Sequence, residues 1–124
     1  VFASGLAAEH AVLLAHLRPG TNIVVPHDLY GGTYRLLHRV FEPLGCRIVR
    51  ADFSDLEALA AAIDATTRLV WLESPTNPRL LVYDIRAVAR LAHERQALVV
   101  VDNTFATPCF QQPLDLGADL VVHS

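Results

Sequence analysis

Two rhythms of apolar positions alternate along this chain. Leu6, Leu13, Leu14 and Leu17 recur at helical spacing, behind Ser4 as a candidate N-cap and ahead of a Pro19-Gly20 stop, which predicts a helix from Gly5 to about Leu17. A short apolar run, Ile23 to Val25, follows. A turn-rich stretch covers His27 to Thr33, and helical spacing returns through Leu36, Leu37, Val40 and Phe41 as far as Pro43-Leu44-Gly45. The order strand, loop, helix repeats twice more, with strands at 47–51 and 69–72 and helices at 55–65 and 84–96. A further strand-like run, Ala97 to Val101, comes at once, and Leu120 to Ser124 reads as a strand that has just ended.

Short β-rich runs separated by helices of about 10 to 15 residues are βαβ units, which build a parallel sheet with helices on its faces. The expected fold is α/β, a three-layer α/β/α arrangement around a mostly parallel sheet. Leu98 to Val101 is continuously apolar rather than alternating, as a central strand buried on both faces should be. There is no internal repeat, low-complexity tract or linker, so 1–124 is expected to be one unit without an internal boundary. The chain opens on Val1 and contains no methionine, which leads us to expect an internal segment of a longer protein.

Composition then narrows the chemistry. All ten basic residues are arginine. The chain therefore has no lysine, and arginine cannot replace an imine-forming amine because its guanidinium stays protonated. A formal charge of -3 with scattered arginines leaves no basic stripe for nucleic acid. Cys46 and Cys109 lie far apart with no CxxC spacing, and no apolar run of about 18 residues is present, so neither a membrane span nor a signal peptide is expected. The expected setting is soluble and cytoplasmic. The six histidines show no metal-ligand spacing with the cysteines, and no metal site is assigned.

In open α/β sheets ligands bind beyond the carboxyl ends of the strands, so the informative residues follow each apolar run. Ser4-Gly5-Leu6 opens a helix whose free N–H groups and dipole suit a phosphate, although Ser-Gly also serves as a plain cap. Neither GxxxxGK[ST] nor GxGxxG occurs, so a nucleotide is not indicated. Asp102 ends an apolar strand and needs a partner: a cationic ring nitrogen, a metal, a ribose, or the start of the next segment, which it would cap. Tyr30, in a glycine-rich loop, could stack on a flat ligand or cover core. Asn77 sits between two prolines that aim a short amide, or simply form a turn.

Together, Phe2-Ala-Ser-Gly, Asp28-Leu-Tyr-Gly-Gly-Thr-Tyr-Arg, Glu73-Ser-Pro-Thr-Asn-Pro, Val101-Asp-Asn-Thr-Phe-Ala-Thr-Pro and Leu116-Gly-Ala-Asp-Leu-Val-Val-His-Ser resemble the Cys/Met-metabolism pyridoxal 5′-phosphate (PLP) enzymes, the family of cystathionine γ-synthase and γ-lyase. The resemblance covers essentially the whole chain. It implies part of the large, cofactor-binding domain of a fold-type I PLP enzyme. Ser4, the backbone of Gly5 and Leu6, and Ser124 would hold the cofactor phosphate. Tyr30 would stack on the ring and is a catalytic candidate, and Thr104 would lie against the other face. Asp102 would pair with the ring nitrogen and Asn77 with the ring 3-oxygen.

The same resemblance places the Schiff-base lysine just beyond Ser124, so the chain alone is expected to be inactive. The full-length enzyme would act on amino-acid substrates of the cystathionine, homoserine ester or cysteine class, by γ- or β-elimination or replacement, as a homodimer or homotetramer. The lean is towards cystathionine γ-synthase or γ-lyase. Two departures limit the carry-over: Cys109 stands where the family usually has tyrosine, and the phosphate-binding residues lent by a neighbouring subunit would lie upstream of Val1. Two alternatives remain open: another fold-type I enzyme, such as a cysteine desulfurase or aminotransferase, and a PLP-binding homologue without catalysis.

Overall fold

The computed structural model describes residues 1–124. Five strands, β1 (Asn22–Pro26), β2 (Arg47–Ala51), β3 (Thr67–Glu73), β4 (Leu98–Asp102) and β5 (Leu120–Val122), form one sheet in the order β2-β1-β3-β4-β5, every pair parallel. Helices α1 (Gly5–His16) and α2 (Gly31–Leu36) lie on one face, α3 (Leu56–Ala62) and α4 (Ile85–Glu94) on the other. Alternation along the strands divides the core between those faces. Ile23, Val25, Leu69, Trp71 and Val100 pack with Leu13, Leu17, Leu37 and Phe41, while Val24, Val70, Leu72, Val99 and Val101 pack with Leu59, Val88 and Ala92. The expected three-layer arrangement is therefore what the chain adopts.

Caps explain the helix starts. The Ser4 hydroxyl oxygen accepts from the Ala7 N–H at 3.1 Å, the Asp55 carboxylate from Glu57 and Ala58, and that of Asp84 from Ala87. The ends differ from expectation. Helix α3 stops at Ala62 because Ile63 is extended and Asp64 closes a turn on the Thr66 N–H at 2.8 Å. Strand β3 is longer than its apolar centre at both ends, since Thr67 and Glu73 also join the ladder. On α1 the buried positions are Gly5, Glu9 and Leu13, whereas Leu6 and Leu14, counted into the apolar stripe, are exposed. Helix α2 continues into a π-helical turn, Leu37–Phe41, and a short helix α5 (Thr107–Phe110) and a 3₁₀ turn (Pro113–Leu116) precede β5; none of these was anticipated.

The chain turns back at β1: β2 lies on one side of it and β3 on the other. That reversal opens a crevice beyond the strand ends, the place where such sheets bind ligands. No helix is long and apolar enough to cross a membrane.

Candidate functional site

A cavity of about 320 Å³ opens at the carboxyl ends of the strands. Its wall contains Ser4, Gly5, Leu6, Tyr30, Asn77, Asp102, Thr104 and Ser124, so all eight positions singled out in the sequence meet in one place. Glu9, Glu73, Pro75 and Phe105 complete it.

One end of the cavity is the start of α1. Ser4 caps the helix through Ala7, and the Ala8 N–H bonds back to the Ser4 carbonyl, which leaves the Gly5 and Leu6 amides without partners in the chain. Gly5 is required here by closeness rather than by backbone twist. A Cβ at that position would lie 2.7 Å from the Ser124 Cβ, so only glycine lets the strand end and the helix start meet. The Ser124 N–H in turn donates to the Thr104 hydroxyl at 3.0 Å, tying the end of β5 to the end of β4.

Asp102 serves the segment that follows it and keeps one oxygen available. Its Oδ1 accepts from the Thr104 N–H at 2.9 Å and from the Thr104 hydroxyl at 2.5 Å, which orders the turn after β4. Those bonds leave Oδ2 without a partner in a carboxylate that lines the cavity. Tyr30 is partly exposed, and its ring sits over Gly32. A Cβ on Gly32 would come within 2.3 Å of the ring, so glycine is what lets the ring lie down there.

Glu73, quoted in a motif but given no task, organises this end of the sheet. It is 3% exposed, its Oε1 accepts from the Tyr30 N–H at 2.9 Å, and its Oε2 accepts from the Asn77 N–H at 3.1 Å. One carboxyl thus holds the loops after β1 and β3 that carry the ring and the amide. Glu73 and Asp102 are register partners on adjacent strands. Burial, above all, raises the Glu73 pKa to about 7; the two amide hydrogen bonds pull it down and the Asp102 and Asp28 charges push it up. The signal in the sequence was the same as for Asp102, an acid ending an apolar strand.

Glu9 was missed altogether. It follows Gly5 by one helical turn and precedes Leu13 by another, so it sits on the inner stripe of α1 and is 2% exposed. No group of three or more His, Cys, Asp or Glu side chains is arranged to hold a metal ion.

The fold and this cavity define a class, a parallel α/β protein with an anion-receptive helix start facing an unpaired carboxylate across a crevice. The comparisons narrow it. The description "Cys/Met metabolism PLP-dependent enzyme" matches residues 1–124, and the chain belongs to that family. It is 52% identical over 123 residues to the cystathionine gamma-synthase of Mycobacterium bovis, covering 99% of this chain and 32% of that protein. It is 46% identical over 124 residues to the cystathionine beta-lyase of Coxiella burnetii, again covering 99% of this chain and 32% of the relative. The crystal structure of cystathionine gamma-lyase from Lactobacillus plantarum complexed with L-serine superposes with a TM-score of 0.96 at 47% identity, over 99% of this chain and 32% of that one. The chain thus spans about a third of the length of these relatives.

The family's cofactor is PLP. The cavity fits such a group chemically. Free amides at a helix start, with Ser4 and Ser124 beside them, suit an anionic phosphate, and the partnerless Oδ2 of Asp102 suits a protonated ring nitrogen.

Proposed function

We propose that this chain forms a wall of the PLP pocket in an enzyme of sulfur amino-acid metabolism that eliminates or replaces a γ- or β-substituent, with a lean towards cystathionine γ-synthase or γ-lyase. The observation that carries the reading is the meeting of Ser4, Gly5, Leu6, Tyr30, Asn77, Asp102, Thr104 and Ser124, from both ends and the middle of the chain, in one cavity at the strand ends. Bound there, PLP supplies an electron sink for the negative charge that develops at an amino acid's α-carbon. The amides of Gly5 and Leu6, with the Ser4 and Ser124 hydroxyls, hold the phosphate. Asp102 keeps the ring nitrogen protonated through its free Oδ2. Tyr30 stacks on one ring face, Thr104 lies against the other, and Asn77 meets the ring 3-oxygen. Glu73 fixes Tyr30 and Asn77 relative to each other.

The substrates in this reading are amino acids of the cystathionine, homoserine ester or cysteine class. The full-length protein in this reading is a cytoplasmic homodimer or homotetramer. In this reading the amine that joins the cofactor is the lysine that the family resemblance places just beyond Ser124; the chain itself contains no lysine.

The decisive experiment is the visible spectrum of the full-length protein with PLP, before and after borohydride, followed by peptide mapping. A visible band abolished by borohydride, with the label on a lysine directly after Ser124, is expected. No band after PLP addition sinks the enzyme reading and favours a homologue without catalysis.

A further inference from the structure

Among the cavity's carboxyls, Glu9 alone has no task in the arrangement above. From the elements packed against it, Thr33 of α2, Glu73 of β3 and Asp102 of β4 bear on its carboxyl. None of the chain's ion pairs reaches it. Its Oε2 and the Thr33 hydroxyl are both buried without a hydrogen-bond partner, and the side chain lines the cavity. An ionised Glu9 would thus face two further carboxyls with no cation to offset them, whereas a protonated one is a donor among acceptors. Burial, above all, raises its pKa to about 7; the Thr33 hydroxyl, near enough to favour the charge but not placed for a well-formed hydrogen bond, pulls it down, and Asp102 and Glu73 push it up.

We infer that Glu9 is a further binding residue of this cavity and works as a neutral acid, so that ligand binding is coupled to proton uptake at its carboxyl. The inference rests on the PLP reading. Filling the cavity removes the solvent this carboxyl still meets. A phosphate on the Gly5 and Leu6 amides also brings negative charge to within one helical turn of it. The cationic ring nitrogen acts the other way, but it is offset by Asp102 itself, so the two effects together favour the protonated form when the ligand is bound. By linkage, affinity is level below about pH 7 and falls above it, by at most about tenfold per pH unit for one proton.

The test uses the full-length protein, stripped of cofactor and titrated with PLP by absorbance between about pH 6 and 9, beside Glu9→Gln and Glu9→Leu. Calorimetry in buffers of different ionisation enthalpy counts the protons taken up. The wild type is expected to take up more protons than Glu9→Gln, and to lose about tenfold in affinity relative to it by about pH 8. Glu9→Leu, which fills the space without a donor, should bind about tenfold more weakly than Glu9→Gln at pH 6. Equal proton uptake and parallel pH profiles for the wild type and Glu9→Gln overturn the coupling, and a leucine variant that binds as tightly as the glutamine one overturns the binding role. Should Glu9→Leu not fold, the isosteric glutamine variant decides alone. No visible band in the wild type at any pH sinks the cofactor reading and this inference with it, whereas a band with parallel profiles sinks only the inference.

Discussion

Asp102 and Glu73 are adjacent acids with different work, and their hydrogen bonds say which is which. Glu73 spends both oxygens on backbone amides, whereas Asp102 spends one on Thr104 and keeps the other free. Replacing Asp102 by asparagine keeps the shape and removes the charge. In the full-length protein, Asp102→Asn should weaken PLP binding about 30-fold, the loss of about 2 kcal/mol of charge-assisted hydrogen bonding, with little change in the melting temperature of the cofactor-free form. Unchanged affinity in an absorbance titration would show that the free oxygen meets no cationic atom. Asp102 was legible at this scale because a carboxylate at the end of an apolar strand asks for a partner. Glu9 was not: a single acid inside a helical pattern reads as a solvated position until the neighbouring Gly5 and Leu13 are known to face inward.

The helices and strands were more legible than the joints between them. The cap at Ser4, the helix starts near Asp55 and Asp84, and the apolar runs of β1, β3 and β4 follow from side-chain chemistry that acts within a few residues. The π turn at Leu37–Phe41 was hidden because Leu36, Leu37, Val40 and Phe41 suit an α-helical spacing equally well. Helix α5 has four residues, too few to show any period. The closest joint is that between α1 and β5, where Gly5 touches Ser124. Gly5→Ala would force two side-chain carbons to 2.7 Å and bring the new methyl to 3.0 Å from the Ser124 Cα, so backbone has to give. The expected cost is about 1–3 kcal/mol in urea unfolding of the full-length protein, with weaker phosphate binding. A variant as stable as the wild type, with its affinity intact, would mean that the joint is looser than the packing indicates.

For the molecule as a whole, a crevice lined with acids makes stability depend on pH in an unusual direction. Burial raises the pKa of both Glu9 and Glu73 to about 7 in the folded chain, against 4.5 for an ordinary glutamate. Between those values the native state holds more protons than the unfolded one, so stability falls as pH rises, and above about 7 the penalty is complete. Each shift corresponds to roughly 3 kcal/mol, less for the two together because they are coupled. Asp64 acts in the opposite sense. Hydrogen bonds from Thr66 and from Arg47 hold its carboxyl well below the usual range, and that stabilisation, complete above about pH 4, is lost as the pH falls further into strong acid. Denaturant titrations of the cofactor-free protein should therefore give higher stability at about pH 5 than at about pH 8. The reverse order would show that the two glutamates are already ionised in the native fold.

The contact between Gly5 and Ser124 also sets a clock. Helix α1 precedes β5 by about a hundred residues, and the end of the crevice between Gly5 and Ser124 does not exist until they meet. During synthesis, a nascent chain that already holds Gly5, Tyr30 and Asp102 still lacks one wall of its binding site until Ser124 has emerged and β5 has paired with β4. In the reading proposed above, a cofactor can therefore stabilise only chains in which α1 and β5 have met, and its phosphate would fasten one to the other.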